Sequence, residues 1–257
     1  MTAAELDALA DGELTTEGRI MPASNATFLA VVGGVKAVYK PIQGERPLWD
    51  FPDGTLAYRE RGAFLVSEAT GWDIVPPTIL RDGPYGEGMV QIWRDPEPDD
   101  AAVTLVPAGE VPADWCHVFD GFDAQDREIS LIHEDSDALR RMAVFDVLVN
   151  NADRKGGHVL EMPGGHRHGV DHGVTFHVEP KLRTVLWGWA GTPLRSEEVD
   201  GVRRVLAALE GDLRGELEYL LTGLEIDAVV HRANRLLERG RLPEPRGDWP
   251  AIPWPPF

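Results

Sequence analysis

The chain has 257 residues, a hydrophobic fraction of 43% and a charged fraction of 26%, an ordinary balance for a protein that buries a real core. Its formal charge of −18 argues against nucleic acid and against anionic lipid, both of which recruit basic surfaces. No apolar run reaches the roughly 18 residues of a membrane span. The N-terminus lacks the basic start and apolar stretch of a secretory signal, and the single cysteine, Cys116, excludes an internal disulfide and a cysteine-based zinc site. These features together point to the cytoplasm.

In chain order, residues 4–13 read as a short helix ending near Gly12. Residues 18–32 read as strand, turn and strand, and Gly33-Gly34 signals a hairpin. Val35–Lys40 is a third strand, stopped by Pro41. Its period of two sends Lys36, Val38 and Lys40 one way and Ala37 and Tyr39 the other. A helix is expected over 55–70, closed by Gly71, with Leu56, Glu60, Phe64 and Ser67 on one stripe. An extended stretch at 78–80 and a strand over 86–93 follow. The proline-broken segment Arg94–Asp100 marks the boundary between two lobes, 1–93 and 94–257.

The second part reads as mostly helical. Helices are expected over 137–150, 196–209, 212–221 and 225–239. Short strands are expected near 158–160, 169–171, 174–176 and 184–187. The proline-rich tail from Leu242 packs as an extended segment. Residues 94–139 carry thirteen acidic side chains against Arg94 and Arg127. They read as a solvated acidic surface, with a docking surface for a basic protein partner as the sharper alternative. The order is α+β rather than alternating βαβ, and neither the dinucleotide fingerprint nor the P-loop is present.

Phosphoryl transfer needs a cation on the nucleotide phosphates, metal ligands and a carboxylate near the attacking hydroxyl. The chain supplies them in order. Lysine is scarce, with four against 21 arginines, and Lys40 ends a strand. Glu60 on the next helix is its expected partner. Asp153 and Lys155 stand in Asn150-Asn-Ala-Asp-Arg-Lys-Gly-Gly-His158, where Asp153 is the candidate base and Lys155 neutralises the moving group. His158 and Asp171 are the candidate metal ligands. Ser24 and Asn25 are candidate phosphate donors, and Gln91, Ile92 and Trp93 are placed to meet an adenine edge. His166 and His168 fall on a glycine-rich hairpin tip, where a structural role is the expectation.

The set Val38-Tyr-Lys-Pro41, Arg59-Glu60 with Gly71, Asn150–His158 and Val170-Asp-His-Gly173 resembles the phosphatidylinositol 3-/4-kinase-related branch of the protein-kinase-like fold. It looks closest to small actinobacterial members and is similar in layout to HipA-type kinases. The resemblance implies a two-lobed fold with a β-rich N-lobe carrying one helix and a mostly helical C-lobe. It also implies ATP with Mg or Mn as cofactors; the family name suggests an inositol lipid as the acceptor, whereas the acidic surface favours a hydroxyl-bearing soluble small molecule or protein as the substrate. It assigns the phosphate lysine to Lys40, the helix glutamate to Glu60, the catalytic aspartate to Asp153 and the metal aspartate to Asp171. The family usually has asparagine where this chain has His158, and imidazole favours manganese or zinc over magnesium. The phosphate-covering turn, Met21–Thr27, lacks the glycines of protein kinases. A nucleotide-binding pseudokinase, a nucleotidyl transferase and a metal hydrolase using His158, His166, His168 and His172 are the alternative readings.

Overall fold

The computed structural model describes residues 3–21, 25–51, 55–97, 101–247 and 249–257; Ser24 lies outside them. After helix α1 (Ala3–Asp11), strands β1 (Leu14–Arg19), β2 (Phe28–Val32) and β3 (Val35–Pro41) run antiparallel. Val32 pairs with Val35 across Gly33 and Gly34, whose φ angles of 56° and 87° make the two-residue turn that positive φ at both positions allows. Helix α2 (Leu56–Thr70) closes on left-handed Gly71. Strands β4 (Thr78–Gly83) and β5 (Gly86–Ile92) complete an antiparallel sheet of order β1-β2-β3-β5-β4. In β3 the expected alternation holds. Ala37 and Tyr39 are buried with Leu9, Ala30, Val32, Val90 and Ile92, while Lys36, Val38 and Lys40 occupy the other face.

A second sheet, not expected from the sequence, follows. Strands β6 (Val103–Pro107), β7 (Trp115–Phe122) and β8 (Glu128–Glu134) pair antiparallel in the order β6-β8-β7. The acidic side chains that read as surface charge are partly turn residues here. Asp123 Oδ1 accepts from the backbone N–H groups of Gln125 and Arg127 at 2.8 and 3.0 Å, and Asp126 takes a φ of 57°, so aspartates shape the β7–β8 turn.

Helix α3 (Asp137–Val149) leads to a hairpin of β9 (Val159–Met162) and β10 (His166–Gly169), then to α4 (Ser196–Leu209), α5 (Asp212–Glu218) and α6 (Gly223–Arg239). The strands expected near 174–176 and 184–187 do not form. Phe176 is buried with a φ of 66°, which breaks an extended path. Its N–H and the Val174 carbonyl pair with Val149 and Ala152 instead. Thr184 makes only an isolated parallel bridge to Arg154. The tail returns over this region, with the Ala251 carbonyl accepting from Thr184 N and Trp187 Nε1 and the Pro256 carbonyl from Gly156 N. No helix among the described residues is long and apolar enough to cross a membrane.

The larger hydrophobic cluster joins α2 to the helical part. Ala63, Phe64 and Val66 pack with Phe145, Leu148, Val202, Val205, Ile226 and Val229. Helix α2 thus precedes the Arg94–Asp100 connector in sequence but shares its core with the helices after it, which places Glu60 between the sheet and the helical part. Close packing of α2's C-terminus on α4 requires glycine at 201, where a Cβ would stand 2.0 Å from Trp72 Cζ2. We predict that Gly201→Ala lowers stability by about 1–3 kcal/mol through overpacking. Guanidinium denaturation should show a lower midpoint at unchanged slope.

Candidate active site

The loop carrying Asp153 is held from below. At the end of α3, Asn150 adopts a φ of 54°. Its amide donates to the carbonyls of His177 and Glu179, both at 2.7 Å, and its Oδ1 accepts from Lys181 N at 3.0 Å. Asn151 Oδ1 accepts from Asp153 N at 3.0 Å while its Nδ2 donates to Asp146 Oδ1 at 3.0 Å. Each asparagine uses both ends of its amide to fix backbone direction.

Arg154 then turns inward. It is fully buried, and its Nε and Nη2 donate to the Asp146 carboxylate at 2.9 Å. Its Nη1 donates to the carbonyls of His158 and Val170 at 3.1 and 3.2 Å, and its Nη2 to His172 Nε2 at 2.6 Å. One guanidinium therefore joins α3, the Asp153 loop and the segment around Asp171. Because arginine only donates, His172 must present a lone pair at Nε2 and be neutral. Burial, reinforced by the Arg154 charge, holds its pKa well below the ordinary value. A Cβ at Gly169 would sit 2.9 Å from Arg154 Nη2, so the strand leading to Asp171 can approach the guanidinium only as glycine.

Above this support, three elements converge on one ammonium. Lys40 Nζ on β3 stands 2.7 Å from Glu60 Oε1 on α2 and 2.7 Å from Asp171 Oδ1. Glu60 is buried and its Oε2 accepts from His172 N at 2.8 Å. Asp171 is 51% exposed and has a φ of 62°, a left-handed conformation that aspartate tolerates better than most non-glycine residues. His158 spans the gap between the two aspartates. Its Nδ1 is 2.9 Å from the Asp153 carbonyl, and its Nε2 is 3.4 Å from Asp171 Oδ2. Lys155 Nζ is 3.5 Å from Asp153 Oδ2.

The charges act on one another as this geometry dictates. Burial alone would lower the Lys40 pKa, but the Asp171 and Glu60 carboxylates more than offset it and raise the value. Lys40 in turn holds Asp171 far below the usual carboxylate range. Burial raises Glu60 in spite of Lys40, and it raises Asp153 in spite of Lys155 and His158, with the Asp171 charge adding to the rise. Burial also lowers His158, opposed by Asp171. Neutral His158 with its proton on Nδ1 donates to the Asp153 carbonyl and turns the Nε2 lone pair toward Asp171 Oδ2. Two lone-pair donors 3.4 Å apart suit a shared cation, so His158 and Asp171 fit a divalent ion.

Lys40, Glu60, Asp153, Lys155, His158 and Asp171 thus fall in one connected cluster. Asn25 is used otherwise, its Oδ1 accepting from Arg46 N at 2.8 Å. Gln91 is buried and donates to Thr78 Oγ1 at 2.8 Å. The amides of Ile92 and Trp93 donate to the carbonyls of Pro77 and Lys36, so an adenine edge meeting this segment has to use other groups. Sequence reasoning missed Asp146 and the inward turn of Arg154. The available signal was an acid inside the apolar run Val144-Phe-Asp-Val-Leu148, since a buried carboxylate requires a partner. We predict that Asp146→Ala costs about 3–5 kcal/mol by stranding the buried guanidinium, whereas Asp171→Asn, at a half-exposed position, costs far less. Urea denaturation of both variants measures the contrast.

No family model matches the sequence. A crystal structure of a Helicobacter pylori proinflammatory kinase, CtkA, aligns with a TM-score of 0.48 at 11% identity, over 89% of this chain and 92% of that one. Protein Rv2133c of Mycobacterium tuberculosis (strain ATCC 25618 / H37Rv) is 51% identical over 262 residues, covering 97% of this chain and 94% of that protein. At that identity and coverage, the chain belongs to the family of Protein Rv2133c.

Proposed function

We propose that this chain is an ATP-dependent phosphotransferase of the protein-kinase-like type, with lobes 1–93 and 94–257. It would move the γ-phosphoryl group to a hydroxyl of a soluble small molecule or protein. The observation that carries the reading is the convergence of Glu60 and Asp171 on Lys40 Nζ, each at 2.7 Å. It joins a strand lysine, a helix carboxylate and a loop carboxylate in the chain order a kinase site requires. The arrangement also accords with the resemblance to the phosphatidylinositol 3-/4-kinase-related branch.

In this reading Lys40, steadied by Glu60, gives up Asp171 to hold the nucleotide's phosphate oxygens. Asp171 and His158 would hold a Mg or Mn ion, which supplies charge neutralisation at those oxygens when bound. Asp153 accepts the acceptor's hydroxyl proton while that oxygen bonds to the γ-phosphorus. The bond from phosphorus to the β–γ bridging oxygen breaks, and ADP leaves with the electron pair. Lys155, beside Asp153, offsets charge on the group in transit. Fixed charges and positioning supply most of the acceleration. The net negative charge disfavours an anionic lipid surface as the acceptor.

Two tests follow. Asp153→Asn should reduce phosphoryl transfer from γ-labelled ATP by at least about 100-fold, the lower bound for a general acid–base group, and Asp171→Asn should reduce it strongly by removing a metal ligand, with circular dichroism unchanged in both. Near-normal transfer by either variant contradicts the assignment, and transfer of an α-label instead makes the chain a nucleotidyl transferase. The pH profile supplies the second. Burial raises Asp153 above its ordinary value of 3.8, and the base works only when ionised. The acid limb of kcat should therefore lie above the ordinary aspartate range, with activity falling as pH drops through it.

A further inference from the structure

On the far side of β10 from the Arg154 guanidinium lies a cluster that phosphoryl transfer does not use. His166 and His168 are two residues apart on β10 and share a face. Their rings meet edge-on at 85° with centroids 4.4 Å apart. Asp73, in the turn after α2, takes a φ of 52° and brings a carboxylate oxygen within 4.8 Å of a ring nitrogen of each histidine.

The hydrogen-bond pattern here cannot be satisfied by protons. His166 Nε2 lies 2.9 Å from the Asp73 carbonyl, His168 Nδ1 lies 3.2 Å from the Ile74 carbonyl, and the two nitrogens lie 3.3 Å from each other. Each contact with a carbonyl needs a proton on its nitrogen. The contact between the nitrogens needs a proton on only one of them. Any tautomer leaves either two N–H groups head to head or a lone pair facing a carbonyl oxygen. A cation between the nitrogens takes both lone pairs, and its positive charge offsets their approach to the two carbonyl oxygens. The spacing agrees, since two imidazoles at Zn–N of about 2.0–2.1 Å on a tetrahedral centre stand about 3.3 Å apart.

We propose that Asp73, His166 and His168 form a second cation site, separate from the cleft of Lys40 and Asp171, for a divalent transition metal of the zinc class. Two imidazoles and a carboxylate form a donor set for zinc rather than for magnesium. An ion here would tie the turn after α2 to β10, reinforcing the 2.8 Å bond from Gly169 N to the Ile74 carbonyl and steadying the strand that delivers Asp171 two residues later.

The test is zinc binding by the tag-free full chain, followed by elemental analysis after dialysis and by thermal denaturation with and without chelator. We expect one zinc per chain, a higher Tm with zinc, and loss of both in His166→Ala, with binding retained in Asp171→Asn. X-ray absorption of the wild-type zinc complex should show two imidazoles, a readout independent of how the variants fold. No zinc bound by wild type, stoichiometry unchanged in His166→Ala, or a coordination shell with fewer than two imidazoles overturns the proposal. Because this site needs no nucleotide, its failure leaves the kinase reading standing, and the reverse also holds.

Discussion

The ion pair between Asp146 and Arg154 is the constraint on which the site rests. Both side chains are fully buried, where each charge alone would be prohibitively costly and the pair is tolerated only with its hydrogen bonds complete. Arg154 also donates to the His158 and Val170 carbonyls and to His172, so its charge is neutralised and its donors are spent on defined backbone. The pair is a weak source of net stability. What it does is give the Asp153 loop and the Asp171 segment a fixed separation.

From that base the cleft is assembled by electrostatics between the sheet, which has its own small core, and the body formed by α2 and the later helices. The sheet's small core ends at Tyr39 and Ile92, while the large core runs through α2 and the later helices. Lys40 projects from the sheet between these two bodies and meets carboxylates from α2 and from the Asp171 segment. Lys40 is 21% exposed and paired twice, so in the proposed reading it can exchange one carboxylate for a phosphate oxygen while Glu60 remains to compensate it. In that reading Asp171, half exposed, is the partner given up, whereas Glu60 is buried and anchored by the His172 amide.

Much of this was readable from local signals. Period two in Val35–Lys40 separated Lys40 from Tyr39, paired glycines marked the β2–β3 turn, and Gly71 marked the end of α2. The order of Lys40, Glu60, Asp153, His158 and Asp171 named the residues that now lie together. What depended on distant contacts was not readable. The β6-β8-β7 sheet was hidden in part because its β7–β8 turn is shaped by aspartates that look like part of a charge run. The strands expected after Asp171 failed because Phe176 and Val174 pair with the Asp153 loop. The Asp73 contribution to the histidine pair on β10 could not be seen because it is 93 residues away from His166. The inward turn of Arg154 was not readable because its partner Asp146 lies near the end of α3, eight positions earlier, and only the acid's place in an apolar run hints that it needs one.

The most direct measurement of the central claim is calorimetric titration of a non-hydrolysable ATP analogue with manganese into the wild-type chain and into Lys40→Met. The account predicts one site per chain in the wild type and affinity at least about tenfold weaker in the variant, the factor that loss of about 1.4 kcal/mol of charge pairing gives. Equal affinity in the two proteins, or no binding to the wild type, would contradict it.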